Sequence, residues 1–125
     1  MKQLSNFLNC FKHAFRGIYS GFKERNMIFH GLVAALVVSI GFLIQLTKTE
    51  WYIVLIFMAL VLSAELFNTA IEELADIARY ENNLKFNATK RIRDLSAGAV
   101  LVISMAATIV GGWIFLSKVF ELISC

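Results

Sequence analysis

Four polar side chains stand close together in a run of helix-forming residues. They are Glu65, Asn68, Glu72 and Asp76, within S-A-E-L-F-N-T-A-I-E-E-L-A-D at positions 63–76. At about 100° per residue, Glu65, Glu72 and Asp76 fall within roughly 40° of one another on a helix, and Asn68 and Thr69 flank that line. A carboxylate stripe on an otherwise greasy helix is costly to bury without partners, so it is expected to face a protein interior or a wet cavity. A carboxylate held deep in such a helix suits a proton acceptor. Carboxylates nearer the membrane edge suit a hard cation such as Mg²⁺, which keeps waters and takes phosphate oxygens of a substrate. Glu65 would stand about 10 Å from Glu72 along the axis, from a rise of about 1.5 Å per residue. That spacing separates a base from a metal site along one groove. It suits phosphoryl transfer to the alcohol of a lipid, with cations holding the polyphosphate and the base taking the hydroxyl proton. The same polar face would also serve a non-enzymatic small membrane scaffold or a pore-forming oligomer, which stands as the alternative.

The elements that position these residues follow from hydropathy. The chain has 125 residues, 58% of them hydrophobic, and no proline. This reads as an all-α integral-membrane protein forming one domain over 1–125. Three apolar stretches approach the ~20 residues needed to cross a bilayer: about 26–46, 51–76 and 96–117. Ahead of them, about 4–22 reads as an amphipathic helix. Phe7, Leu8, Phe11, Phe15, Ile18, Tyr19 and Phe22 recur at helical spacing, with Lys12, Arg16 and Lys23 off that face. Such a helix lies in the membrane interface. The start of the chain does not read as a cleavable signal peptide, because its apolar run begins too late.

Charge sets the expected topology. Lys2, Lys12, Arg16, Lys23 and Arg25 precede the first span, and Arg79, Lys85, Lys90, Arg91 and Arg93 lie between the second and third. The other two polar segments carry only Lys48 and Lys118. The excess of cations places the N-terminus inside and the C-terminus outside. The net charge of +3 then describes two cytoplasmic basic patches suited to anionic headgroups or nucleotide phosphates, rather than a binder of nucleic acid. Glu24, in K-E-R-N at 23–26, is expected at the same depth as Glu72, where the two could meet. Positions 47–50 read as a short external turn, and 78–87 as a polar loop able to cover a nucleotide. Lys90-Arg91-Ile92-Arg93-Asp94 is a basic cluster at the mouth of the third span. In that span Ala107 and Gly111, and Ser104, Thr108 and Gly112, form small-residue faces that allow close helix approach. Neither G-x-x-x-x-G-K-[ST] nor G-x-G-x-x-G occurs. Cys10 and Cys125 are expected on opposite sides of the membrane as free thiols.

Three stretches also carry a resemblance. The run 64–72, A-E-L-F-N-T-A-I-E, resembles the E-L-x-N-[ST]-A-I-E signature of the prokaryotic diacylglycerol kinase family, which includes undecaprenol kinases. The run 93–100, R-D-L-S-A-G-A-V, resembles that family's K-D-x-x-[AS]-[AG]-A-V stretch. Glu24-Arg25-Asn26 followed by Phe29-His30 is similar to the E-R-N-x-x-x-H pattern of the undecaprenol-kinase branch. The resemblance covers about residues 11–118. It implies ATP-dependent phosphorylation of undecaprenol or diacylglycerol in the bacterial cytoplasmic membrane by a multi-pass homotrimer with sites shared between subunits. It implies Glu65 as catalytic base and Glu24 and Glu72 as the carboxylates for the Mg²⁺ of MgATP. It further implies ATP contacts from Glu24, Glu72, Arg93 and Asp94, and lipid-substrate contacts from Glu65, Asn68 and Ala97. Arg93 stands where the family has Lys, and its planar fork is not equivalent to an ammonium.

Overall fold

The computed structural model of the protein describes residues 2–124, and side chains from Asn6 onward; Cys125 lies outside the described residues. The chain is four helices joined by short turns: α1 Lys2–Gly21, α2 Arg25–Leu43, α3 Lys48–Glu81 and α4 Asn87–Ser124. The last three are long and apolar enough to cross a membrane. With 34 and 38 residues, α3 and α4 run for about 50 and 57 Å, well beyond a hydrocarbon core of about 30 Å. Each therefore extends past the apolar run expected from sequence.

The helix ends explain the differences from the expected boundaries. The first apolar stretch runs to Leu46, but α2 ends at Leu43, three residues earlier. Gln45 takes a left-handed conformation, φ 55°, the Leu46 N–H donates to the Gly41 carbonyl at 3.1 Å and the Gln45 N–H to the Phe42 carbonyl at 3.3 Å. This Schellman stop turns the chain back and buries Leu46 beside Ile44 and Val54. α3 ends the same way, with Asn83 left-handed at φ 51°, Leu84 donating to Arg79 and Asn83 to Tyr80. Asn tolerates that conformation better than most residues. The helix thus continues through 78–81, and the expected polar loop at 78–87 shrinks to the turn at 82–86.

Positions 47–50, expected as a turn, are the start of α3. Thr47 is its N-cap, and a reciprocal capping box joins it to Glu50: the Thr47 N–H donates to the Glu50 carboxylate at 2.6 Å, and the Glu50 N–H to the Thr47 hydroxyl at 3.4 Å. The basic cluster at 90–94, at the mouth of the third span, lies on the first turns of α4.

α3 is the central element, packed most extensively on α4, then on α2 and on the end of α1. α3 and α4 form an antiparallel hairpin: Asp76 meets Arg93 at one end, and Glu50 lies within the electrostatic reach of Lys118 at the other. α1 closes onto α3 at Gly21, where a Cβ would collide with the Leu66 side chain. Gly111 and Gly112, by contrast, face open space.

Polarity is inverted relative to a water-soluble bundle. On α3, Phe67 is 71% exposed and Leu74 65%, whereas Glu65 is 3% exposed and Asn68 4%. Thr89 and Ser96 of α4 are buried as well. Apolar side chains outward and polar groups between helices is the arrangement that hydrocarbon surroundings favour, because lipid tails offer polar groups no partner. This is a multi-pass membrane protein.

Candidate functional site

The polar residues of α3 lie along its contact with α4. Residues four apart share a helix face, so Asn68 reaches Glu72, its Nδ2 donating to Oε1 at 3.3 Å. Across the helix pair, the Ser96 hydroxyl donates to Asn68 Oδ1 at 2.7 Å. One turn beyond Glu72, Asp76 accepts from an Arg93 guanidinium N–H at 2.7 Å and pairs with Arg79 at 3.3 Å. Arg93 Nε donates to the Thr89 hydroxyl at 3.4 Å. The Phe86 ring lies against both guanidinium groups, 5.6 Å from that of Arg79 and 5.2 Å from that of Arg93. A chain of hydrogen bonds and ion pairs thus follows the expected stripe from Asn68 to the α3–α4 turn.

Glu65 stands at the deep end of the stripe. α2 contributes His30, whose Nε2 is 3.9 Å from Glu65 Oε2. His30 also lines a cleft of about 350 Å³ between α2, α3 and α4. That cleft is walled by Val37, Ile40, Val54, Phe57 and Met58 among other apolar groups, with Thr108 its second polar side chain. A smaller groove, about 290 Å³, opens on another face of the hairpin and reaches Asn68 and Ser96.

Glu65, Asn68 and Glu72 share the α3 face with Asp76, as their spacing requires. Glu24 is the N-cap residue of α2, exposed, and its side chain caps nothing. The Glu24 side chain makes no hydrogen bond or ion pair among the described residues, and the Glu72 carboxylate accepts only from Asn68. Asp94 and Ala97 are exposed on α4. Arg93 is engaged by Asp76 and is not an open anion contact. Cys10 is a free, exposed thiol.

Sequence reasoning missed three features. Ser96 escaped because one serine in a small-residue run has no periodic signature. The Asp76–Arg93 pair links residues on two helices, whose relative register no linear pattern reveals. His30 stands in the sequence only as the last residue of the E-R-N-x-x-x-H pattern, and its contact with Glu65 joins two helices.

Mg²⁺ binding can be tested against the donors present. Among the described residues, no three His, Cys, Asp or Glu side chains gather as a metal site. Mg²⁺ commonly takes only one or two carboxylates and completes its shell with water and phosphate oxygens. Glu72, half-buried and hydrogen-bonded through one oxygen, and the uncommitted carboxylate of Glu24 fit that chemistry.

Fold and site together define a class: a small helical membrane protein whose buried carboxylate faces a histidine of an apolar cleft, with further carboxylates and arginines toward one end. Residues 12–115 match the family described as prokaryotic diacylglycerol kinase. The chain is 38% identical to an undecaprenol kinase of Bacillus subtilis over 117 residues, 93% of either chain. It is 30% identical to a diacylglycerol kinase of Synechocystis over 118 residues, 94% of this chain and 66% of that one. No solved structure matches it. The chain belongs to the prokaryotic diacylglycerol kinase family, a family of lipid kinases.

Proposed function

We propose that this lipid kinase transfers the γ-phosphoryl group of ATP to the hydroxyl of undecaprenol, with Glu65 as the general base. One observation carries the reading: a carboxylate 3% exposed on the membrane helix pair faces, at 3.9 Å, the histidine that lines an apolar cleft. Burial of that kind needs a purpose, and abstraction of a proton from a lipid alcohol supplies one. The hydroxyl oxygen attacks the γ-phosphorus, the bond to the β–γ bridging oxygen breaks, and the alcohol proton passes to Glu65. Lipid phosphate and ADP result. His30, 3.9 Å from Glu65, lies where it can take part in that proton's movement.

Glu24 and Glu72 would hold Mg²⁺, which when bound neutralises charge on the transferring phosphoryl group. Asn68 orients the Glu72 carboxylate, and Ala97 borders the bound lipid. Arg93 and Asp94 contact the nucleotide, Arg93 after leaving Asp76. The cations at 90–93 and those before α2 face the cytoplasm, with α1 on the inner leaflet of the bacterial cytoplasmic membrane and the C-terminus outside. A homotrimer would bring Glu24 of one subunit toward Glu72 of another.

Undecaprenol is favoured over diacylglycerol by the cleft. Its lining is apolar apart from His30 and Thr108, which matches an isoprenoid chain that has no ester groups to satisfy. The 38% identity to an undecaprenol kinase points the same way. A scaffold or pore would need a polar face but not basic groups beside its carboxylates. The deciding experiment incubates purified protein in lipid bilayers with MgATP and either alcohol, and identifies the product lipid by mass. Undecaprenyl phosphate, formed only when divalent metal is present, is the expected product. Transfer to neither alcohol overturns the proposal.

A further inference from the structure

The Ser96 hydroxyl is buried between α3 and α4, and its bond to Asn68 has only one workable polarity. A carboxylate oxygen without a proton accepts hydrogen bonds and donates none. The Asn68 amide must therefore turn its NH₂ toward Glu72, as it does at 3.3 Å, and its carbonyl oxygen away. That oxygen then needs a donor, and Ser96 supplies it at 2.7 Å. The alternative acceptor for the same proton, the Arg93 carbonyl, is farther, at 3.0 Å, and already belongs to the hydrogen-bond ladder of α4. Asn68 is 4% exposed and Ser96 8%, so water competes weakly for these groups. Among the described residues, no side chain holds the second oxygen of Glu72.

We propose that Ser96 is a positioning residue for Glu72: its hydroxyl locks the Asn68 amide, which pins one carboxylate oxygen and leaves the other directed to a divalent cation. The inference rests on the reading of Glu72 as a metal-holding carboxylate. Without the hydroxyl, the amide can rotate and set its oxygen against the carboxylate, and Glu72 loses its fixed orientation. Groups that orient a metal-binding side chain in this way change metal affinity by about 10–100-fold when removed.

The test is direct binding of Mn²⁺ to the full-length protein in bilayers with a non-hydrolysable ATP analogue, read from the electron paramagnetic resonance of unbound Mn²⁺. Ser96→Ala is expected to weaken Mn²⁺ by about 10-fold or more, with the KM for the lipid alcohol unchanged. Ser96→Thr, which keeps the hydroxyl, is expected to restore binding. If Ser96→Ala fails to assemble, Ser96→Cys, with its weak S–H donor, takes its place and is expected to bind less tightly than wild type. Loss of Mn²⁺ in Glu72→Gln but wild-type binding in the Ser96 variant overturns the role of Ser96 alone. Wild-type Mn²⁺ binding in Glu72→Gln overturns the assignment of Glu72 and, with it, the inference. Equal loss in Ser96→Ala and Ser96→Thr, both melting like wild type, also overturns it.

Discussion

Glu65→Gln removes a proton acceptor while changing side-chain volume almost not at all. At 3% exposure, Glu65 makes its contacts inside the helix bundle, and the neutral amide occupies the same space. The helix pair should therefore persist, and the melting temperature is expected to match wild type. A positioned general base contributes about 10²–10⁴-fold to rate, which is about 3–5 kcal/mol of barrier at 1.36 kcal/mol per decade. His30 lies 3.9 Å away and offers another proton acceptor, so the loss is expected near the middle of that range, about 10³-fold. The assay is the initial rate of lipid phosphate formation in bilayers at saturating MgATP, with the KM for MgATP measured in parallel. A fall in kcat with that KM unchanged is the expected result for a base that serves the alcohol and not the nucleotide. A loss smaller than about tenfold, or about 1.4 kcal/mol, would refute Glu65 as the base. A rise in the KM for MgATP with kcat intact would move it to the nucleotide site.

Asp76→Asn releases Arg93 and Arg79 from their shared carboxylate. Asp76 is 44% exposed, so the loss of stability should not exceed about 1 kcal/mol. Nucleotide affinity, measured by titration, is expected to rise, because the freed guanidinium no longer exchanges one anion for another; unchanged affinity would argue against a phosphate contact by Arg93. Thr47→Ala removes the hydroxyl half of the α3 capping box and should cost about 1 kcal/mol in a thermal or denaturant melt. Glu50, ahead of the apolar run that begins at Trp51, has its carboxyl pKa lowered by the Thr47 backbone N–H first and the Thr47 hydroxyl second. A lowered folded-state pKa adds stability above the unfolded value of about 4.3 that is lost as pH falls through the folded one. The difference in stability between wild type and Thr47→Ala should accordingly narrow on acidification; a gap independent of pH across that window would dissociate the cap from the Glu50 charge.

Much of this protein is legible without coordinates. Long apolar runs leave few options in lipid, because backbone groups must pair within their own segment, so three long helices follow from hydropathy. The 3.6-residue period places Glu65, Glu72 and Asp76 on one face whatever the surroundings. Helix ends were less legible. Gln45 and Asn83 stop α2 and α3 in left-handed conformations without a glycine, and the T-x-x-E capping box at 47–50 looks like any polar turn until its hydrogen bonds are seen. The cross-helix pairings were out of reach for a different reason. Ser96 meets Asn68, and Arg93 meets Asp76, only because α3 and α4 pack antiparallel in one register. That register is set by side-chain packing along the whole hairpin, a property of two surfaces meeting, whereas periodicity describes each helix alone.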